Sequence, residues 1–336
     1  MSKNLKIAIL GFGNAARAFA KILDAERVNI LVNYDTAIVT TGIVTGTHGA
    51  LYNPCGLHLE SITENYDKTG SFQSPINMTS MELCEKGEYD VLIEATPLNI
   101  KTGQPASDHI KTALRRGKHV ITANKGPIAW YFKELKELAK ENNCEFFYET
   151  TVMDGTPVFN LVNDTLKMCT VTSVDGILNT TTNYILEELE KGKDYNDIMT
   201  EGKKLGFIEA DPAMDVEGYD AAAKLTALLN VLMDAGITPN DIDRTGIENI
   251  TYDDIMKAKE NNKIIKLICH GDKDSAYVRP TLVDKSDLTA NIDGTSSMVQ
   301  ITTDYMGKLS IIEHNPDLVQ TGYGIFIDLL RVVERI

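Results

Sequence analysis

The chain has 336 residues, 43% of them hydrophobic, so it can bury a substantial core and is long enough for two domains. Its 33 basic and 48 acidic residues give a net charge of -15, which disfavours nucleic acids and anionic membranes as partners, and no apolar run approaches the roughly 20 residues of a membrane span. Five widely spaced cysteines and six scattered histidines form neither a disulfide framework nor a zinc motif, so we expect a cytoplasmic protein without a transition metal.

The first part of the chain alternates short apolar runs with segments of helical period. A strand at residues 6–10 leads through a turn at 11–14 into a helix at 15–23. The same alternation continues with strands at 37–44, 91–95, 119–122 and 145–148, and with helices at 107–116 and 128–142. Strands that alternate with helices predict an α/β fold, a Rossmann-type doubly wound parallel sheet, over residues 1–150.

The pattern changes after residue 151. The sequence predicts strands at 170–175, 263–270, 276–283 and 297–305, and helices at 183–191, 195–205 and 218–235. This order predicts a second domain of α+β type over residues 151–305. The last helix, at 321–336, is apolar on one face, so we expect residues 306–336 to pack back on the first domain.

A glycine-rich turn joins the first strand to the first helix. It reads Gly11-Phe12-Gly13-Asn14-Ala15-Ala16 and matches the G-x-G-x-x-G/A pattern, in which backbone N–H groups and the helix dipole face a pyrophosphate. This position favours a dinucleotide site, although a purely structural turn is the alternative. The end of the second strand, at residues 44–49, contains no acid for a ribose 2′-hydroxyl, and Thr47 or His48 could donate to a 2′-phosphate. NADP is therefore favoured, with NAD possible.

Two lysines are candidates for chemistry. Lys224 is the only charged residue between 221 and 233, in an apolar helix that follows five carboxylates, and Asp220 lies four residues before it. An ordinary i,i+4 ion pair is the alternative interpretation. Lys125 follows the strand at 119–122, at the sheet edge where such folds bind ligands, although it could be a solvated loop residue. On the same edge Thr96 could contact the nicotinamide ribose or simply belong to a turn.

These motifs, in this order and spacing, resemble homoserine dehydrogenases over nearly the whole chain. The most specific part is Glu209-Ala210-Asp211-Pro212 followed by Asp215-Val216-Glu217-Gly218, then Asp220 and Lys224. The resemblance implies NAD(P)-dependent interconversion of L-homoserine and L-aspartate 4-semialdehyde, a step of threonine, methionine and isoleucine biosynthesis. It also implies a homodimer formed by the second domain, which would carry the catalytic residues.

The resemblance further implies roles for individual residues. Glu209, Asp215 and Thr182 match positions near the amino acid head of the substrate, and Asp220 matches a supporting carboxylate. Lys125 and Lys224 match two lysines near the reacting oxygen. A lysine of lowered pKa can take the hydroxyl proton. We assign this role to Lys224 and the orienting role, beside the cofactor, to Lys125, although the two could be exchanged. A monovalent-cation site would match Glu149, Val152, Asp154 and Thr156, and a buried hinge contact is its alternative.

Two departures from the family pattern keep other functions open. Thr180 stands where the family usually has glycine, so local backbone geometry is expected to differ. A glycine-rich loop near the cofactor is replaced by Glu313-His314-Asn315-Pro316-Asp317, whose acids would weaken phosphate binding. The alternatives are a dehydrogenase of another amino acid or aldehyde, and a non-catalytic dinucleotide sensor.

Overall fold

A computed structural model describes residues 3–205, 208 and 211–336. The chain divides into two compact units. The first comprises the residues up to Pro157 together with Asp317–Ile336, and the second is Val158–Pro316. Each unit contains a six-stranded sheet. Within the described ranges, no helix is both long enough and apolar enough to cross a membrane.

The sheet of the first unit is parallel except at one edge. Its strand order is β3-β2-β1-β4-β5-β6, and only the short β3 runs antiparallel, against β2. The strands are β1 (Lys3–Leu10), β2 (Thr36–Val44), β3 (Ala50–Tyr52), β4 (Val91–Glu94), β5 (His119–Thr122) and β6 (Phe146–Phe147). The predicted doubly wound sheet is confirmed, and β3 is an edge strand that the sequence did not indicate.

Helices pack on both faces of this sheet. They are α1 (Asn14–Tyr34), α2 (Leu59–Thr69), α3 (Ser80–Lys86), α4 (Ala106–Arg115) and α5 (Lys125–Glu141). Alternate residues of β1 enter two different cores: Ile7 and Ile9 pack with Phe19 of α1, whereas Ala8 and Leu10 pack with Ile110 of α4. Because neighbouring side chains of a strand point to opposite faces, a central strand covered on both sides must be continuously apolar.

The second unit has a mostly antiparallel sheet with the order β12-β11-β7-β9-β10-β8. Its strands are β7 (Val171–Ile177), β8 (Asp243–Arg244), β9 (Lys263–Asp272), β10 (Ala276–Asp284), β11 (Ser297–Thr303) and β12 (Gly307–Glu313). Its helices are α6 (Thr180–Glu190), α7 (Tyr195–Leu205), α8 (Ala213–Val216), α9 (Tyr219–Met233) and α10 (Tyr252–Glu260). The α+β class predicted for this part of the chain is therefore confirmed.

The last helix, α11 (Leu318–Arg335), belongs to the first unit and packs on α1. A Cβ at Gly322 would lie 2.6 Å from the backbone nitrogen of Phe19, so glycine allows the two helices to approach closely. The sequence predicts that residues 306–336 return to the first domain. The structure corrects this start to Asp317, because β12 pairs with β11 and so keeps residues 307–313 in the second sheet.

The two departures from the family pattern have local explanations. Thr180 opens α6 and is not among the described residues with positive φ, so the expected difference in backbone geometry is not needed to accommodate it. Asp317 caps α11, since its side chain accepts a hydrogen bond from the backbone N–H of Val319 at 2.7 Å. This acid therefore has a structural role at a helix N-terminus.

Candidate active site

The glycine turn of the first unit leaves room for an anionic group. Gly11 has φ +83°, and a Cβ there would lie 2.1 Å from the carbonyl oxygen of Ala95, so only glycine fits. A Cβ at Gly13 would meet nothing within 4 Å, so the space in front of α1 is open. Phe12 between them is buried, with its ring 5.3 Å from that of Tyr66. Backbone N–H groups, not the phenyl ring, are therefore available to a pyrophosphate.

The helix start beside this turn carries two of the predicted cofactor residues. Asn14 is the first residue of α1, and its Oδ1 accepts a hydrogen bond from Arg17 at 2.6 Å. Arg17 also pairs with Asp67 at 2.7 Å. Ala15 follows in the first turn and is partly buried. The side chain of Asn14 thus helps to fix the Arg17 guanidinium near the start of α1.

The loop after β2 presents several hydrogen-bonding side chains. Nδ1 of His48 lies 2.9 Å from Oγ1 of Thr47 and 3.0 Å from the hydroxyl of Tyr66. Thr45 closes the loop, because its Oγ1 accepts from the backbone N–H of His48 at 2.9 Å. The loop therefore offers hydroxyl and imidazole groups where a ribose 2′ substituent is expected.

The carboxyl ends of β4 and β5 are joined by a carboxylate that the sequence analysis missed. Glu94, the last residue of β4, is fully buried and accepts from the backbone N–H of Thr96 at 3.1 Å and from the hydroxyl of Thr122 at 3.0 Å. Burial raises the pKa of Glu94 to about 7, although its hydrogen bonds act in the opposite direction. Lys125 is the first residue of α5, which Asn124 caps by accepting from Gly126.

Lys224 of the second unit contacts oxygen atoms both inside and outside its own helix. Its Nζ donates to the carbonyl oxygen of Leu178 at 2.7 Å and lies 3.3 Å from Oδ2 of Asp220. The side chains of Lys224 and Asp220 are 18% and 13% exposed, so both are largely shielded from water without being sealed off. The predicted i,i+4 pair is present, and the Leu178 carbonyl adds a second contact from outside the helix. The ammonium is thus held in one position.

A second carboxylate lies beside this pair. The side-chain amide of Asn179 donates to Oδ1 of Asp215 at 2.6 Å and to Oδ2 of Asp220 at 2.9 Å. Burial and the neighbouring Asp220 charge raise the pKa of Asp215. Thr182 is buried, and its hydroxyl donates to the carbonyl oxygen of Asn179 at 3.1 Å. Glu209, the other predicted substrate residue, lies outside the described residues.

The loop proposed for a monovalent cation is attached to α11. The backbone N–H of Glu149 donates to Asp328 at 2.9 Å, and Oδ1 of Asp154 accepts from the hydroxyl of Thr321 at 2.6 Å. Val152 is buried, and Asp154 has φ +44°. The backbone N–H of Thr156 donates to Met153 at 2.8 Å, which closes the loop. No group of three or more His, Cys, Asp or Glu side chains suited to a metal ion occurs in the described part of the chain.

Two residues of the site had weak sequence signals. Glu94 is a carboxylate that ends an apolar strand two residues before Thr96, which is unusual for a residue entering a core. Asn179 precedes α6 as its cap, and its Oδ1 accepts from the backbone N–H of Thr182 at 2.8 Å. An asparagine before a helix predicts a cap. Its simultaneous contact with Asp215 and Asp220 depends on folding and could not be predicted from the sequence.

A doubly wound sheet with an open glycine turn, in a chain whose second unit fixes a lysine among carboxylates, defines an NAD(P)-dependent oxidoreductase. Two family profiles agree with this class: one described as homoserine dehydrogenase, NAD binding domain, matches residues 11–149, and one described as homoserine dehydrogenase matches residues 157–330. The chain belongs to the homoserine dehydrogenase family, as its sequence motifs indicated.

Individual relatives match over almost their full length. A homoserine dehydrogenase of Methanocaldococcus jannaschii is 35% identical over 98% of both chains, and an NAD(+)-dependent homoserine dehydrogenase of Pseudomonas canavaninivorans is 33% identical over 97% of this chain and 96% of the relative. A crystal structure from Archaeoglobus fulgidus is similar with a TM-score of 0.89 and 32% identity, covering 98% of this chain and 99% of that one. A hyperthermophilic archaeal homoserine dehydrogenase in complex with NADPH gives a TM-score of 0.85 at 27% identity, covering 99% and 98%.

Proposed function

We propose that this protein interconverts L-homoserine and L-aspartate 4-semialdehyde, with Lys224 as the group that takes and returns the hydroxyl proton. The observation that carries the proposal is the fixed position of the Lys224 ammonium, between the Leu178 carbonyl at 2.7 Å and the Asp220 carboxylate at 3.3 Å. A lysine whose side chain is fixed in a shielded site can exchange a proton with a substrate oxygen.

The proton transfer balances in both directions. In oxidation, neutral Lys224 removes the proton of the C4 hydroxyl while a hydride leaves C4, which leaves an aldehyde and an ammonium. In reduction, the ammonium gives its proton to the aldehyde oxygen as the hydride arrives. Asp220 stabilises the ammonium form and so supports the reductive direction, because a nearby carboxylate favours the charged lysine. Lys125 polarises the same oxygen in this proposal.

The nicotinamide cofactor, when bound, accepts or supplies the hydride. The glycine turn fits its pyrophosphate, because Gly11 admits no side chain and the space above Gly13 is open. Thr96 and Lys125, at the ends of β4 and β5, would face the nicotinamide ribose. NADP is the preferred form in this proposal, because residues 44–49 contain no acid and His48 could donate to a 2′-phosphate.

The remaining assignments follow from the same proposal. Asp215, with Glu209 and Thr182, would bind the amino acid head, since an ionised carboxylate pairs with the substrate ammonium. Glu149, Val152, Asp154 and Thr156 would supply oxygens to a monovalent cation. Residues 1–150 would form the dinucleotide-binding domain, and residues 151–305 the catalytic domain that also forms a homodimer. The protein would act in the cytoplasm, in the biosynthesis of threonine, methionine and isoleucine.

The experiment is absorbance at 340 nm, with homoserine and either NAD or NADP added to the purified protein at alkaline pH. Alkaline solution favours an oxidation that releases a proton. We expect homoserine-dependent formation of the reduced cofactor, faster with NADP. A flat trace, with cofactor binding verified separately, would contradict homoserine as the substrate and favour another dehydrogenase or a dinucleotide sensor. Equal or faster turnover with NAD would contradict only the cofactor preference.

A further inference from the structure

Glu94 is a fully buried carboxyl whose hydrogen bonds reach three residues beyond its own strand. One oxygen, Oε1, accepts from the backbone N–H of Thr96 at 3.1 Å and from the Thr96 hydroxyl. The other, Oε2, accepts from the hydroxyl of Thr122 at 3.0 Å, and the side chain of Asn124 is a further hydrogen-bond donor. The four donors are uncharged. Burying a carboxyl is costly, and these hydrogen bonds offset part of that cost.

The partners of Glu94 are themselves connected. Oγ1 of Thr122 accepts from the backbone N–H of Asn124 at 3.0 Å, and Nδ2 of Asn124 donates to the carbonyl oxygen of Thr96 at 3.2 Å. Asn124 also caps α5 through the backbone N–H of Gly126 at 3.0 Å. One network therefore fixes the loop after β4 and the first turn of α5, and Lys125 lies in that first turn. Removing the carboxylate would leave several buried donors without an acceptor.

We propose that Glu94 is a positioning residue of the dehydrogenase reaction: its buried carboxylate joins the ends of β4 and β5 and thereby holds Thr96 and Lys125 against the nicotinamide end of the cofactor. This inference rests on the proposed function in one respect, which is that Thr96 and Lys125 contact the cofactor. Glu94 itself touches neither substrate nor cofactor in this account. Its effect passes through the hydrogen-bonded loops.

The protonation state of Glu94 determines whether the network is complete. An ionised carboxylate can accept from all four donors, whereas a protonated carboxyl gains a donor of its own and forces one hydroxyl to turn away. Burial raises the pKa of this carboxyl to about 7, so both forms exist near neutral pH. Two titratable groups lie close by: the thiol of Cys84, whose raised pKa reflects burial first and the Glu94 charge second, and the ammonium of Lys125, next to Asn124 in the chain. Because its pKa is raised, the thiol of Cys84 does not titrate near pH 7.

The test compares the wild type with Glu94→Gln by titrating NADH fluorescence between pH 5.5 and 8.5 without homoserine. NADH is the probe because it lacks a 2′-phosphate, which would titrate in the same range. We expect wild-type affinity to rise with pH through about 7. In the variant we expect a flat profile and, at pH 8, affinity weaker by roughly tenfold, the size expected for a lost charged hydrogen bond. Glu64→Gln, an exposed carboxyl on α2, is the matched control and should behave as wild type.

The outcomes test the role of Glu94 and the proposed substrate separately. Identical NADH profiles for wild type and Glu94→Gln would overturn the role of Glu94, whatever the turnover. If the wild type binds NADH with the expected pH profile but does not oxidise homoserine, the proposed substrate is contradicted. The positioning role of Glu94 is then still supported. If Glu94→Gln does not fold, Thr122→Val serves instead, because losing one donor to the carboxylate should raise the pH midpoint of NADH binding. An unchanged midpoint there would overturn the inference.

Discussion

Lys224 and Asp220 show how much a spacing of four residues can predict. Their side chains share one face of α9, so a contact is expected from the sequence, and the structure gives 3.3 Å. Lys224 also donates to the carbonyl of Leu178, which lies 46 positions earlier in the chain. That second contact depends on the packing of α9 against the end of β7, and no local pattern indicates it.

Replacing Lys224 by Met should nearly abolish turnover while leaving cofactor binding intact. Methionine keeps most of the side-chain volume but removes the group that transfers the proton, and such groups typically contribute a factor of roughly 10²–10⁴. The measurement is kcat for homoserine oxidation, together with NADPH affinity by fluorescence. Lys257→Met, an exposed lysine on α10, is the control and should keep the wild-type rate. If kcat of Lys224→Met lies within a few-fold of the wild-type value, Lys224 is not the proton acceptor.

Glu94 should also make stability depend on pH, with a definite sign. Its pKa is raised by burial from 4.5 to about 7, so the folded protein holds this proton more tightly than the unfolded chain. Stability from this group is therefore fully present below about pH 4.5 and is lost as pH rises through about 7. A shift of this size corresponds to on the order of 3 kcal/mol.

The glutamine side chain of Glu94→Gln does not ionise, so this variant should not lose stability in this way as the pH rises. Melting temperatures of the variant and wild type should therefore diverge between pH 5 and pH 8, with the variant gaining relative to wild type as pH rises. The variant is thus expected to bind cofactor less tightly and yet to be relatively more stable at pH 8. If the melting temperatures of the two proteins change in parallel across this pH range, the raised pKa of the buried Glu94 carboxyl is contradicted. Glu64→Gln should follow wild type throughout.

At the scale of elements, the glycine turn offers a matched pair of substitutions. Gly11→Ala forces a Cβ to 2.1 Å from the Ala95 carbonyl at φ +83°, which should cost on the order of 1–3 kcal/mol in strain before the clash is counted. Gly13→Ala meets no protein atom within 4 Å, so the fold should survive. Both should weaken NADPH binding, but only Gly11→Ala should lower the melting temperature of the free protein strongly. Unimpaired NADPH binding by Gly13→Ala would contradict a pyrophosphate at this turn.

The elements that the sequence predicted are those with a strong local pattern. Strands β1, β4 and β5 each contain a short apolar run, and the helices that follow β1 and β5 have apolar faces. The strands it missed are β3 and β8, of three and two residues, and β12, of seven residues. β3 and β8 exist because each pairs with a sheet built elsewhere in the chain, and strands so short carry almost no periodic signal. Tertiary contacts, not local preference, define such strands.

At the scale of the whole molecule, the boundary near the C-terminus could not be predicted from hydrophobicity alone. Both β12 and α11 carry apolar residues and follow one another closely in the chain, but they belong to different units. Pairing with β11 places β12 in the second unit, and packing against α1 places α11 in the first unit. The first unit is consequently assembled from both ends of the chain. The stability of the first unit therefore depends on residues that are far from the glycine turn in the sequence.

Deleting residues 317–336 should therefore unfold the first unit and leave the second one folded. The deletion removes four buried side chains from the first core, Ile325, Phe326, Leu329 and Val332. Burial of such side chains contributes about 1.5–3 kcal/mol each, and their sum rivals the roughly 5–15 kcal/mol that stabilises a whole domain. Hydrogen exchange should show protection lost in β1 and β4 but kept in β7 and β9, together with loss of NADPH binding. Deleting only the exposed residues 334–336 is the control and should change neither. Persistent protection of β1 in the longer deletion would show that the first core is stable without α11.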